Sequence, residues 1–371
     1  MPTTFLRRRG VVAVLLLVIV FAGAALTGCT PPDRAAAPTP TVAGASGHVS
    51  ADLPPTDPEV LVADPRPRFP VTVTGADEVE SVIESADRII TLDRAGALSR
   101  MVWALGLGDR LVGRDVASDF PGVAHLPELT PGGHAVNPEA VMALKPDLII
   151  TDGTVGPSKA VRGFRDAGIP VVHVGGDRTL STVGTLVDEV AAAVGLGHEA
   201  DRVRRAVEDD IARAMERARS MADGRRMLML YLRGTTTAMI AGDGTGAGEL
   251  IAALGGVDAA GDSGAGDGFT PLTPEALVTA APDTVIVMTG GLESIGGMDG
   301  MMELPGFAQT PAGAARSVID VPDSQLLSFG PQTGHVIDAM ADALYGGSGS
   351  AAAAAGEEAG APGAAGKTGT R

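Results

Sequence analysis

The sequence predicts an α/β protein of two lobes joined by one long helix. Short apolar, β-branched runs alternate with helical stretches from Arg88 onward. A single charged helical segment, 198–221, interrupts the alternation, which then restarts. Continuous apolar strands alternating with helices imply a parallel sheet covered on both faces.

The elements follow in order. Arg88–Leu92 is a strand, and Ala97–Leu107 is a helix ending at Gly108. Leu111–Gly113 is a second strand. Pro138–Leu144 is a helix with its proline in the first turn, where the missing N–H does no harm. Leu148–Thr151 is a third strand, Lys159–Ala167 a helix closed by Gly168, and Val171–Val174 a fourth strand. Thr182–Val194 is a helix broken by Gly195-Leu196-Gly197. Within 198–221, Val203, Val207, Ile211 and Met215 fall at i+4 steps and form one apolar stripe on a charged rod. Met227–Leu232 is a strand, Gly248–Leu254 a helix, Val285–Met288 a strand and Gln332–Leu344 the closing helix. The lobes are thus 86–196 and 223–346, with 197–222 as the linking helix.

An internal echo relates the two halves. Residues 137–150, NPEAVMALKPDLII, align with 273–286, TPEALVTAAPDTVI. Each reads as an N-capped helix, a Pro-Asp turn and a buried strand. Independent convergence on helix–turn–strand chemistry is the alternative.

The flanks differ in kind. Arg7-Arg8-Arg9 precede an unbroken small and apolar run, Val11 to Ala25, and then Leu26-Thr27-Gly28-Cys29. This is a basic n-region, an h-region and a small-residue cleavage site, so residues 1–28 read as an export signal. The run is about 15 residues, short of the roughly 20 that span a bilayer. Export by the general or the twin-arginine route stays open. Residues 29–85 are rich in Pro, Ala, Thr and Asp and read as an extended tether. Residues 347–371 read as a disordered low-complexity tail.

Composition narrows the partners. Removing the signal leaves 25 Lys and Arg against 45 Asp and Glu, a net charge of −20. Such a chain is a poor partner for nucleic acid or an anionic membrane surface. Cys29 is the only cysteine, so no intrachain disulfide is available. There is no HExxH, CxxC, G-x-G-x-x-G fingerprint, P-loop or G-x-S-x-G elbow, and no acid/base constellation that would make an enzyme.

Leu26–Cys29 resembles the lipobox of bacterial lipoproteins, which implies acylation at Cys29 and a lipid-anchored protein on the extracytoplasmic side of the cell membrane. Residues 86–346 resemble the class III substrate-binding proteins of ABC importers: two Rossmann-like lobes on one long helix, carrying siderophores, cobalamin or haem. The resemblance implies that Glu139 and Glu275, in the doubled Pro-Glu-Ala, dock a permease dimer with its cytoplasmic ATPase. An early-turn Glu also favours the helix dipole by itself.

Two short stretches narrow the ligand. PGGHAVNP (131–138) and LYLRG (230–234) look like the haem-binding lipoproteins of actinobacterial haemin importers. The resemblance implies that ferric haemin is held between His134 and Tyr231, with Arg233 hydrogen-bonded to the tyrosine oxygen. Imidazole and phenolate are both haem ligands. Tyr231 and Arg233 are two apart on a strand and share a face, and a guanidinium beside a phenol favours the phenolate. Met288 is a candidate pocket residue, and Arg94 and Arg114, after strand ends, are candidate cations for the propionates. His48, His125, His173, His198 and His335 have no such context. The rivals are the same fold binding a ferric siderophore or cobalamin, an enzyme on a lipoprotein scaffold, and a surface haem receptor that meets no permease.

Overall fold

The computed structural model describes residues 47–133 and 135–346. Residues 1–46, which include the stretch read as an export signal and Cys29, and residues 347–371 lie outside the described residues. The first lobe is built on a four-stranded sheet in the order β5-β4-β6-β7, where β4 is Ile89–Leu92, β5 Leu111–Gly113, β6 Leu148–Thr151 and β7 Val171–His173. All its pairings are parallel. Helices α1 (Ala97–Val102), α2 (Pro138–Ala143), α3 (Ser158–Asp166) and α4 (Val183–Ala193) cover it. The residues after α1 continue in one π-helical turn, Trp103–Leu107.

Helix α5 (Ala200–Met221) follows and packs on α4. Its buried stripe runs Val203, Val207, Ile211, Ala214, Ala218. Strict i+4 steps drift around a helix of 3.6 residues per turn, so beyond Ile211 the stripe takes an i+3 step to Ala214. Met215 is left half-buried.

The second lobe contains β8 (Arg226–Arg233), β9 (Thr237–Ala241), α6 (Ala247–Ala253), β10 (Val257–Asp258), β11 (Phe269–Pro271), α7 (Pro274–Ala280) and β12 (Thr284–Met288). Then come α8 (Thr289–Ser294), α9 (Gly297–Glu303), α10 (Pro311–Ala315), β13 (Val318–Val321), α11 (Asp323–Leu326) and α12 (Thr333–Tyr345). Its sheet runs β1-β13-β12-β8-β9-β11, with β10 also on β8. Strands β13, β12 and β8 are parallel, whereas β9 and β11 turn back antiparallel. Helix α12 packs along α5, so one apolar core continues from Leu98 and Met101 through α5 to Ile337 and Met340.

Strand β1 is His48–Ser50, inside the stretch read as tether, and it is the edge strand of the second lobe's sheet. The tether expectation is therefore corrected from residue 48 onward. Ala51 N–H donates to Asp320 O (2.9 Å), and Gln325 Nε2 donates to Leu53 O (3.2 Å). The chain then crosses to the first lobe, where Leu61 N–H meets Ala104 O (2.7 Å) and Arg68 N–H meets Gly195 O (2.9 Å). A hairpin of β2 (Val71–Thr74) and β3 (Glu80–Ile83) completes it. Ala51, Leu53 and Val62 are buried singly, as anchors of an irregular strap, and so leave no period in the sequence. Gly106 (φ +77°) has no side chain because the Val62 carbonyl would lie 2.2 Å from its Cβ. The strap and α5 are two covalent connections between the lobes.

The internal echo extends into the hydrogen bonds. Asn137 caps the Ala140 N–H (3.2 Å) and Thr273 caps the Ala276 N–H (3.1 Å). Val141 and Leu277 are the buried anchors of the two helices. Asp147 accepts from Arg88 N–H (2.9 Å) at the start of β4, and Asp283 accepts from Arg226 N–H (2.8 Å) at the start of β8. The Arg88 side chain donates to Leu144 O and the Arg226 side chain to Ala280 O. Each Pro-Asp thus ties a helix end to the neighbouring strand.

Candidate functional site

In a doubly wound fold, ligands bind beyond the carboxyl ends of the parallel strands. Along β8 the strand is buried on both faces up to Leu230; then Leu232 stays buried while Tyr231 and Arg233 emerge half-buried on the other face. Tyr231 lies opposite Met239 on β9, and its ring meets Phe269 of β11 edge-on at 5.5 Å. The Arg233 guanidinium lies 4.9 Å from the centre of the Tyr231 ring. Its hydrogen bonds among the described residues go to Leu232 O (3.0 Å), to Met288 Sδ at the end of β12 (3.6 Å), and to Asp323 Oδ1 just past β13 (2.6 Å). The guanidinium therefore covers the ring face of the tyrosine, in place of the hydrogen bond to the hydroxyl implied by the resemblance.

The structure brings Tyr231, Arg233 and Met288 together. It adds Asp323 and Phe269, which the sequence reading missed. An acid directly after a strand was the only available signal for Asp323, since its partners lie 33 and 90 residues away.

His134 lies outside the described residues. Its neighbours Gly132 and Gly133 both have φ +84°, and Gly133 N–H donates to Thr130 O (2.8 Å), closing a tight loop ahead of α2. Arg94, after β4, is exposed; its backbone N–H donates to Thr154 Oγ1 (3.1 Å), and its side chain has no ion-pair partner among the described residues. Arg114, after β5, is paired with Glu128 at 3.1 Å and donates to Asp115 O. Its charge is thus shared with Glu128, unlike that of Arg94 among the described residues.

Beneath these strand ends sits a buried acidic group. Asp93 accepts from Ala97 N–H (2.9 Å), and Asp115 accepts from Asp93 N–H (3.0 Å) and the Ser118 hydroxyl (2.7 Å). Asp152 is paired with Arg178 at 2.8 Å. Burial, and then the charges of Asp115 and Asp152, hold the Asp93 carboxyl well above the ordinary range. Burial pushes Asp115 up to about 6. These groups cap helices and bind loops, and among the described residues no cluster of three His, Cys, Asp or Glu is disposed to hold a bare metal ion.

The lobes are also braced by side chains. Ser181 donates to Glu249 through N–H (2.9 Å) and hydroxyl (3.0 Å), Ser324 Oγ donates to Asp119 (2.7 Å), and Arg100 Nε donates to Gln332 (3.1 Å). Glu139 and Glu275 are both exposed in the first turns of α2 and α7.

The fold is that of a two-lobed α/β protein with polar side chains gathered at strand ends, and comparison places it in a family. The profile of the periplasmic binding protein family matches residues 90–325, and the chain belongs to that family. Its architecture is the class III fold of the ABC-importer substrate-binding proteins. The crystal structure of heme binding protein HmuT is 36% identical, with 81% of this chain and 97% of that one covered and a TM-score of 0.76. The ABC transporter substrate-binding lipoprotein YvrC of Bacillus subtilis (strain 168) is 25% identical over 281 residues, 75% of this chain and 86% of that protein. A cobalamin-binding protein of Halobacterium salinarum is 29% identical over 234 residues, 60% of each chain. Family and neighbours are binding proteins of transport systems. No helix among the described residues is long and apolar enough to cross a membrane.

Proposed function

We propose that this protein is the substrate-binding lipoprotein of an ABC importer for haemin, anchored through acylated Cys29 on the extracytoplasmic face of the cell membrane. The observation that carries the reading is Tyr231 emerging at the carboxyl end of β8 under the Arg233 guanidinium, in a chain similar to a heme binding protein. Phenolate is hard and anionic and prefers Fe(III). A cation at the ring favours the ionised phenol. Tyr231 and His134 serve as the two axial ligands, one from each lobe, so that iron bridges them. Met288 lines the pocket beside the tyrosine, and Arg94, without an ion-pair partner among the described residues, offers its charge to a propionate. Glu139 and Glu275 dock the two permease subunits. The interlobe braces limit opening, so release follows from the permease pulling on the lobes and weakening one iron bond.

The test is an absorption titration of the purified protein with haemin, beside Tyr231→Ala and His134→Ala. The expected result is a saturable one-to-one Soret shift with a high-spin tyrosinate charge-transfer band, altered or lost in both variants. A titration indifferent to both substitutions, with saturable binding of cobalamin or a ferric siderophore instead, would overturn the haemin reading in favour of the same fold with another ligand.

A further inference from the structure

The repeat in the two lobes also shapes their surfaces. Residues 137–143 and 273–279 share one pattern of exposure. The cap, the proline and the glutamate stand out, Ala140 and Ala276 are half-buried, Val141 and Leu277 are buried, and the next two residues stand out again. Both segments then turn through the left-handed region at equivalent places, Lys145 (φ +48°) and Ala281 (φ +43°). The residue after each buried anchor is large and apolar, yet Met142 is 41% exposed and Val278 44%. Each lies three residues after Glu139 or Glu275, so carboxylate and apolar side chain are neighbours on the outer helix face. Single exposed apolar residues are ordinary on a protein surface. A pair at equivalent places beside equivalent charges is not. Among the other exposed ones, Phe269 lies against Tyr231 and Val116 beside Gly133, while Val60, Val82 and Val257 fall outside the repeat.

We propose that Met142 and Val278 are the apolar contacts of a paired docking surface whose occupant is the permease dimer. Each patch offers a carboxylate beside an apolar side chain, and fits a surface that offers a cation beside an apolar hollow. A permease of two like subunits presents one such surface twice, about its twofold axis. The inference rests on Glu139 and Glu275 docking the permease, and it deepens that reading by naming the side chains that exclude water around each ion pair. An exposed ion pair contributes little by itself. The apolar neighbour, buried on docking, adds its own area and strengthens the pair by desolvating it. The glutamates steer the approach, and Met142 and Val278 slow the departure.

The test measures binding of the purified protein to its permease–ATPase complex held in lipid nanodiscs. Met142→Ser and Val278→Ser should each weaken binding about tenfold, the scale of truncating one apolar side chain buried at an interface, chiefly through faster dissociation. Met142→Leu and Val278→Ile should retain it. Raising the salt concentration should shrink the loss caused by Glu139→Gln and Glu275→Gln and leave the serine losses in place. Both apolar positions are exposed, so the serine variants should unfold in urea at the wild-type midpoint, and their losses then report contact and not folding. Wild-type binding in both serine variants, beside lost binding in the double variant Glu139→Arg and Glu275→Arg, would overturn the inference and leave the docking reading standing. Wild-type binding in all of them would overturn both. A wild-type dimer in solution that the serine variants break would overturn the inference too, and assign the face to a second copy of the chain.

Discussion

The buried Asp93–Asp115 pair makes stability fall as pH rises, against the usual trend for carboxylates. The folded chain keeps a proton on Asp115 up to about 6, whereas an unfolded aspartate loses it near 3.8. Between these values the folded state binds more protons than the unfolded one, so unfolding free energy decreases with pH there. A difference of about two pH units corresponds to about 3 kcal/mol at most, present below pH ~4 and gone above pH ~6. Asp93, raised by burial and by the Asp115 and Asp152 charges, adds a slope of the same sign. So does Asp258, raised by burial. Asp77, Asp223 and Asp320 act in the opposite sense; their burial is outweighed by Arg165, by Arg225, and by Ser50, Thr289 and His48. Their folded values lie below 3.8, so they act at more acid pH, outside this window.

Because several groups contribute, the informative quantity is a difference. Asp115→Asn removes one titrating group and relieves the repulsion on Asp93. It also leaves part of the hydrogen bonding to Asp93 N–H and Ser118 imperfect, at a cost of about 1–3 kcal/mol. Urea unfolding of both proteins at pH 4.5, 5.5, 6.5 and 7.5 should show the variant clearly weaker at pH 4.5. The gap should close by about 2 kcal/mol by pH 7.5. A gap that stays constant across these pH values would refute the assignment of the slope to this pair.

Two further outcomes are expected. Leu53→Ala, in the strap, should lower stability by about 2–3 kcal/mol in urea unfolding, as for a buried leucine elsewhere; a change below about 0.5 kcal/mol, the size of an ordinary surface substitution, would show that the strap is not docked. Arg at both Glu139 and Glu275 should abolish permease-dependent haemin uptake in cells while the Soret titration of the purified variant is unchanged, and lost affinity would refute the separation of docking from binding.

Much of the architecture was legible because its signals are local. The apolar runs at 88–92, 148–151 and 285–288, the N-caps Asn137 and Thr273, and the amphipathic 198–221 all report on their own neighbourhoods. The strap was not legible, since a Pro-rich chain with single buried anchors carries no period. Strand β13 and the antiparallel β9 and β11 were missed for a related reason: strands of three to five residues are defined by their partners. The Glu128 partner of Arg114, 14 residues on, was likewise not legible.

Spacing along the chain was enough for the two-lobed plan, the repeated Pro-Glu-Ala and Pro-Asp elements, and the placing of Tyr231 with Arg233 on one strand face. Each follows from spacing along a helix or strand, which is fixed by backbone geometry. Only the tertiary structure decided that Met288 and Asp323 join Tyr231 and Arg233, that Asp93, Asp115 and Asp152 are buried together, and that the strap and the Ser181–Glu249, Ser324–Asp119 and Arg100–Gln332 contacts hold the lobes. These contacts join groups far apart in sequence. No local pattern encodes them; they arise where parallel strands end side by side and where two packed lobes meet.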